Sequence, residues 1–406
     1  MNNNRGRALR FLALAFLCSA LPGRALDFGL VIQQTGEQTG DSSYTGSYSP
    51  WISTELGQRA NLYLQAKLST VYEDGNWKPE SPAILPELGL FKISWRPASS
   101  AYLEMGRLRF QDPSGMIAAG LFDGLSGSLV LGKARLSMGA FYTGLSYKET
   151  AKIIMTSGDI KAYVQPFTYT DSDTYFSSRR IVVSAGTEFG DLSPRTTLKV
   201  NVLGQFDMNP KALSDESLLH TQYLSAQYSC LPLETLALTG TVVGGLAEDE
   251  EKAIYLQCAM GAGIDWEVPG ALQDMLQGEI HWSNGENEGL IAFAPINSIA
   301  QGTVFDPKLS GLMALKGKYT ARLYQSFSVS AEGIYFIRTD GKTLTGTEYP
   351  PSSSRLMGGE LYGTVRWALT EDLMINIGGG AFFPGDAFVP NTPIRWKLAA
   401  GLIFSL

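Results

Sequence analysis

Histidine and cysteine are nearly missing from this chain of 406 residues, with two of the first and three of the second. A zinc site of the common kind draws four such ligands together, and neither a CxxC nor an HxxxH spacing occurs, so the sequence implies no metal and no cofactor. Charge is also sparse, at 17% against about a quarter in average proteins. The 32 basic residues are outnumbered by 39 acidic ones, which leaves no global field to attract nucleic acid. Past Leu26 no uninterrupted apolar stretch approaches the ~20 residues that a membrane-spanning helix needs. What is present in quantity is glycine, 44 residues, beside an ordinary hydrophobic share of 44%. That mixture argues against disorder and against a coiled coil.

The first 25 residues read as a delivery signal. Arg5, Arg7 and Arg10 precede an apolar run from Phe11 to Leu21, and the small residues Gly23 and Ala25 stand at the −3 and −1 positions of a cleavage site. The expected division is therefore a signal peptide over 1–25 and a mature region over 26–406. Removing the leader takes away four arginines and no acid, so the exported chain is more acidic than the formal −7 of the whole.

The mature region alternates. In Asn61 to Tyr72, Leu62, Leu64, Ala66 and Leu68 are apolar, while Tyr63, Gln65, Lys67 and Ser69 lie between them; a period of two sends these sets to opposite faces of a strand. From Glu251 to Glu267 an apolar set of Ile254, Leu256, Cys258, Met260, Ala262, Ile264 and Trp266 interleaves with small and polar residues. Such ribbons are about twice the usual ~5–6 residues, a length that suits a tilted bilayer crossing. About 18 of them can be counted, with 16 as the alternative. The fold class expected is all-β, a single transmembrane antiparallel barrel in the cell outer membrane. The connections sort by parity. Gly57 to Arg59, Pro97 to Ser99, Gly132 to Lys133, Gln325 to Ser326 and Thr370 to Asp372 are short. The intervening Ser146 to Tyr175, Ser283 to Leu309 and Gly341 to Ser354 are long. Outer-membrane barrels have short periplasmic turns and long external loops, whereas a sandwich has no reason to sort its loops. With both termini periplasmic, Trp95, Trp266, Trp367, Trp282 and Trp396 fall at girdle positions near the strand ends.

The last residues, Ala400-Gly401-Leu402-Ile403-Phe404-Ser405-Leu406, resemble the C-terminal recognition signal of bacterial outer-membrane proteins, with Gly401, Phe404 and Leu406 as its elements. The signal usually ends in Phe or Trp and carries a polar residue where Ala399 stands. The resemblance implies outer-membrane lipid and the barrel-assembly machinery as partners. Met105-Gly106-Arg107 and Gly120-Leu121-Phe122-Asp123-Gly124, with the 18-strand plan, are similar to porins of the alginate-export kind and to spirochaetal outer-membrane proteins. That likeness implies the architecture and solute passage.

A barrel this wide holds water unless loops fill it. The polar phase gives Lys67, Arg107, Arg109, Arg180, Lys199, Lys316, Lys318, Arg322, Arg338, Arg366, Arg395 and Lys397 as inward bases, against Glu188, Asp265, Glu279, Glu332 and Glu360 as inward acids. A lining with excess positive charge lowers the barrier for anions. The expected function is a diffusion channel for small hydrophilic, anionic solutes, with Arg107, Arg109, Lys316, Lys318 and Arg322 at the constriction. The same bases would suit anionic glycans.

Two other readings stand beside it. His281-Trp282-Ser283-Asn284-Gly285 resembles the HxSNG segment of outer-membrane phospholipase A. The resemblance implies His281 as base and Ser283 as nucleophile, with Asn297 as an orienting partner. Against it, the alternation turns His281 and Ser283 inward, away from lipid, and that family's barrel has fewer strands. The other alternative is an adhesin or surface antigen acting through its long loops, Ser146 to Tyr175 either folding inward or standing outward. Cys230 and Cys258 fall on strands separated by a third, out of bridging reach, so free thiols are expected. Glu104 shares a face with Tyr102, Leu108 and Phe110, which the pattern assigns to lipid, unless a bulge at Gly106 changes the phase.

Overall fold

The computed structural model describes residues 26–38, 42–73, 84–209, 218–249, 251–270, 273–286, 290–297, 299–341, 349 and 354–405. The leader assigned to 1–25 and the terminal Leu406 lie outside the described residues. The first nine strands are β1 Leu26–Gln38, β2 Ser42–Glu55, β3 Ala60–Glu73, β4 Leu85–Ala98, β5 Ala101–Gln111, β6 Ala119–Leu131, β7 Ala134–Tyr142, β8 Arg180–Gly190 and β9 Thr196–Asp207. The second nine are β10 His220–Leu233, β11 Leu236–Glu248, β12 Ile254–Val268, β13 Asp274–Ser283, β14 Leu312–Tyr324, β15 Phe327–Arg338, β16 Leu356–Ala368, β17 Leu373–Pro384 and β18 Arg395–Ser405. Each pairs antiparallel with its sequence neighbours, and β1 pairs with both β2 and β18. The sheet is closed, so no edge is left with unpaired backbone groups in hydrocarbon.

Alternation decides the wall. On β12 the side chains of Ile254, Leu256, Met260, Ile264 and Trp266 are exposed, while Gln257 and Ala259 between them are buried. Trp95, Trp266, Trp367 and Trp396 are exposed, and Trp282 is half-buried, in phase with the exposed Ile280. Cys230 and Cys258 are free thiols on β10 and β12, with β11 between them.

Loop parity holds among the described residues; the expected long loop Gly341 to Ser354 lies largely outside them. The turns Ser99 to Ser100, Gly132 to Lys133, Glu234 to Thr235 and Gln325 to Ser326 close one end, and the segments 143–179 and 284–311 rise from the other. The first long segment carries two short helices, α1 Lys148–Ala151 and α2 Ser157–Val164. Helix α2 starts at a capping box, in which the Thr156 hydroxyl accepts from the Asp159 N–H and the Asp159 carboxylate accepts from that of Thr156.

One strand departs from the expected phase. On β5 the exposed residues are Leu103 and Met105, whereas Leu108 is 1% exposed and packs with Phe110, Phe122 and Phe141 inside the barrel. Tyr102 and Glu104 therefore face inward too, and Glu104 lies 3.1 Å from Lys92 and accepts from the Tyr102 hydroxyl. The assignment of this face to lipid is corrected. Its apolar residues meet protein, because loops fill the lumen at that height. Gly106 has φ +119°, a conformation in which a side chain is strained, and a Cβ there would meet the Phe91 carbonyl. Pairing of β4 with β5 stops one residue further on, at Phe91 and Arg107, so the two strands part toward the external end.

A plugged lumen and its basic wall

The long connections fold inward. The described residues of 284–311 cross the barrel from β13. The Ile296 N–H donates to the Ile117 carbonyl in the β5–β6 turn, and Asn297 both accepts from the Ala119 N–H (2.9 Å) and donates to its carbonyl (2.5 Å). Phe293, Ile296 and Leu309 are fully buried in one cluster with Met116, Ile117, Phe122 and Val182. Further along, Val304 and Phe305 join a second cluster with Phe336, Phe382 and Phe388 under β15 to β17. Burying a large apolar side chain contributes about 1.5–3 kcal/mol, so the first cluster holds the segment on either side of the stretch that the second one holds.

Buried carboxylates fix the backbone of these loops. Glu360, on β16, accepts from the N–H groups of Thr303, Val304 and Phe305 at 2.7, 3.0 and 2.8 Å. Asp112 does the same for Ser114, Ile117 and Ala118 at the β5–β6 turn. The 143–179 segment also lies inside, since Ala151 and Ile153 belong to the first cluster. Lys152 pairs with Asp306 at 2.8 Å and the Lys308 ammonium donates to the Ile154 carbonyl at 2.6 Å, which ties one plugging segment to the other.

Arg180 is the centre of this tie. Fully buried, it contacts Asp159 at 2.5 Å, Asp207 at 3.1 Å and the Leu219 carbonyl at 3.3 Å, leaving its Nε without a partner. Burial alone would raise the Asp159 carboxyl; the Arg180 charge and the N–H groups of Met155 and Thr156 outweigh it and hold that carboxyl below its ordinary range. Burial pushes the neighbouring Lys308 ammonium down to about 8, although Asp159 works the other way.

The expected lining cations separate into two groups. Arg180 is not a lining residue but the buried clasp just described. Arg107 is also covered, 5% exposed, with a two-pronged contact to Asp123 (2.9 and 2.8 Å) and further bonds to the Leu88 and Leu145 carbonyls; it fills the wedge where β4 leaves β5. Arg338 is buried against Asp340. Arg180 and Arg338 were placed inward by alternation, but the segments that cover them carry no periodic signal; for Arg107 and Arg109 the inward phase is corrected with that of β5, since they alternate with the inward Leu108 and Phe110 and share the phase of the exposed Leu103 and Met105. Arg109, opposite Leu121, is exposed above the same wedge.

The remaining bases keep water around them. Lys316 is 3.7 Å from Glu279, Lys67 3.5 Å from Glu87, and Lys397 3.2 Å from Glu37. Lys199 stands in register between Glu188 and Gln227. Lys318 and Arg366 line a hollow of about 470 Å³ on the inner wall with Thr320, Ser330, Thr364 and Asn376. Arg366 donates to Asn376 and Arg322 to Gln273. Arg395 lies over the rings of Phe305 and Phe388, 5.5 Å from each centroid. Of the inward acids, Asp265 accepts from Gln277 and Glu332 stands opposite Lys318 in register.

The residues of the phospholipase-like segment hold loops and not one another. His281 Nδ1 pairs with Gln301 at 3.1 Å. Ser283, fully buried, accepts from the Leu312 N–H and donates to its carbonyl, while Asn297 is committed to Ala119. The nucleophile is shielded from both lipid and water, and the orienting residue binds elsewhere, so no relay is assembled.

A closed 18-strand sheet with an apolar outside, a polar inside and loops folded into the bore defines a porin-like outer-membrane β-barrel. No family model matches the sequence, and no curated protein matches it. Solved structures do: the chain is similar to the outer-membrane protein OpdK of Pseudomonas aeruginosa (10% identity, 95% of this chain and 99% of that one, TM-score 0.61). It is also similar to OccK2 (OpdF) of that organism in complex with glucuronate (13%, 95% and 99%, 0.60) and to its OpdQ (11%, 95% and 99%, 0.61).

Proposed function

We propose that this barrel is a passive outer-membrane channel for small hydrophilic anions. One observation carries the reading. Ion pairs and carbonyl contacts take up Arg107, Arg180 and Arg338, yet Lys67, Lys199, Lys316, Lys318, Arg366 and Lys397 still reach water on the lumen wall. Positive charge in a narrowed bore, flanked by low-dielectric wall, lowers the entry cost of an anion. The anionic sugar in the similar OccK2 complex supports the same class of solute. Single-channel currents of the purified protein across a potassium chloride gradient test it. The expected reversal potential reports chloride as the more permeant ion; cation preference in the wild type overturns the selectivity, and absence of any conductance overturns the channel.

A further inference from the structure

Near the periplasmic end of the lumen, away from the plug, two aromatic rings lie side by side on the wall. Trp51 is in the inward phase of β2, opposite in face to the exposed Tyr48, and its register partners are Gly29 on β1 and Gln65 on β3. Tyr63 on β3 is stacked beside it, with centroids 5.9 Å apart and planes 18° from parallel. Gly29 lacks the atom that would lift the indole: a Cβ there would lie 2.6 Å from Trp51 Nε1 and 2.7 Å from Cε2. The indole therefore packs close against the backbone of β1.

Immediately below, toward the short turns, a cavity of about 860 Å³ is lined by Arg59, Arg96 and Arg135 against a single acid, Glu55, with Asn61, Ser94 and Ser128 between them. Asn61 and Ser94 are register partners, adjoining Tyr63 and its partner Lys92 on the same face. Lys92 is held by Glu104 and Arg96 lies 5.5 Å over the Tyr102 ring, so both cations are fixed in place. None of these residues belongs to the plug or to the basic wall above it.

We infer that Trp51, Tyr63 and the arginine-lined cavity form an exit subsite for acidic sugars. A flat indole and phenol present a π face of the size of a pyranose ring, whose axial C–H groups carry the matching partial positive charge. Hydroxyls at the ring edge find Asn61, Ser94 and Gln65, and the carboxylate of a hexuronate is directed to the Arg96 and Arg135 side, where guanidinium groups accept planar oxyanions in paired fashion. A neutral hexose satisfies only the stacking half of the site. A simple inorganic anion satisfies only the charged half. The site thus favours a solute that has both.

The inference rests on the channel reading, and the test separates the two. Glucuronate, glucose and acetate are added in turn to single barrels in a planar bilayer, from each side, with equilibrium dialysis of labelled glucuronate against detergent-solubilised protein as a readout independent of current. The expected result is current interruption by glucuronate, stronger from the short-turn side than from the long-loop side, and little by glucose or acetate. Trp51→Ala shortens the interruptions about five-fold, a loss of the size of one aromatic contact, while Trp51→Phe restores most of it. Arg96→Ser together with Arg135→Ser abolishes the preference over glucose. An unchanged circular dichroism spectrum and heat-modifiable mobility on gels in each variant show that the barrel is intact. Conductance without glucuronate interruption, or interruption indifferent to Trp51→Ala, overturns the subsite and leaves the channel standing. Loss of conductance in the wild type removes the channel, and failure of dialysis to detect binding then removes the subsite as well.

Discussion

Arg180 shows how much one side chain decides here. It sits between Asp159 and Asp207 with no access to solvent, so Arg180→Ala leaves two buried carboxylates facing each other without a counter-ion. Breaking a buried pair in this way costs about 3–5 kcal/mol. The expected outcome is a folded barrel whose 143–179 segment is cut by protease at lower doses than in the wild type. The pH dependence follows from the same cluster. Asp159 has its carboxyl held below the ordinary value, so its contribution is present above the unfolded pKa and disappears as pH falls through the folded one. Lys308 is shifted the other way for a base, down to about 8; the undocked state binds more protons between that value and the ordinary 10.5, so docking strengthens as pH rises through that window. Channel noise recorded from strongly acid to alkaline solution is expected to be greatest at the acid end and to fall again above pH 8.

At the scale of elements, strands and loops differ in how far they can be read. Hydrocarbon outside and water inside enforce a period of two, which is why Leu62, Leu64 and Leu68, or Ile254, Leu256 and Met260, announce their strands and their phase without any knowledge of the rest. On β5 the same logic misassigns the face. Leu108 and Phe110 are apolar because Ile117, Phe122 and Phe141 cover them from within, and an apolar ring buried under a loop leaves the same mark in sequence as one buried in lipid. The candidate site was legible to the same degree: alternation found Lys316, Lys318 and Arg366, and gave Arg180 the right face with the wrong surroundings. Trp51 and Arg96 carried no signal beyond phase. The 284–311 segment is held by three N–H groups on Glu360. Glu360→Gln keeps the shape and removes the charge; hydrogen bonds to a charged group are worth about 1.5–3 kcal/mol each, and the expected result is more frequent open-channel flicker with unchanged heat stability of the barrel.

For the whole molecule, the sheet supplies stability and the bore supplies selectivity, and the two are separable. Lys316→Glu combined with Lys318→Glu alters only side chains that reach the lumen from β14. Their reversal potential is expected to move toward cations, lowering the chloride-to-potassium permeability ratio several-fold, while circular dichroism and the heat-modifiable mobility on gels stay as in the wild type. An unchanged ratio would place the narrowest point elsewhere on the wall.

The two thiols have a practical use that follows from where the register puts them. Cys230 lies near the short-turn end of β10, and Cys258 in the long-loop half of β12, both in the phase of exposed neighbours such as Tyr228 and Met260. A spin label on one of them, with the other replaced by serine, becomes a ruler for bilayer depth, read by oxygen and nickel relaxation, with no new cysteine introduced.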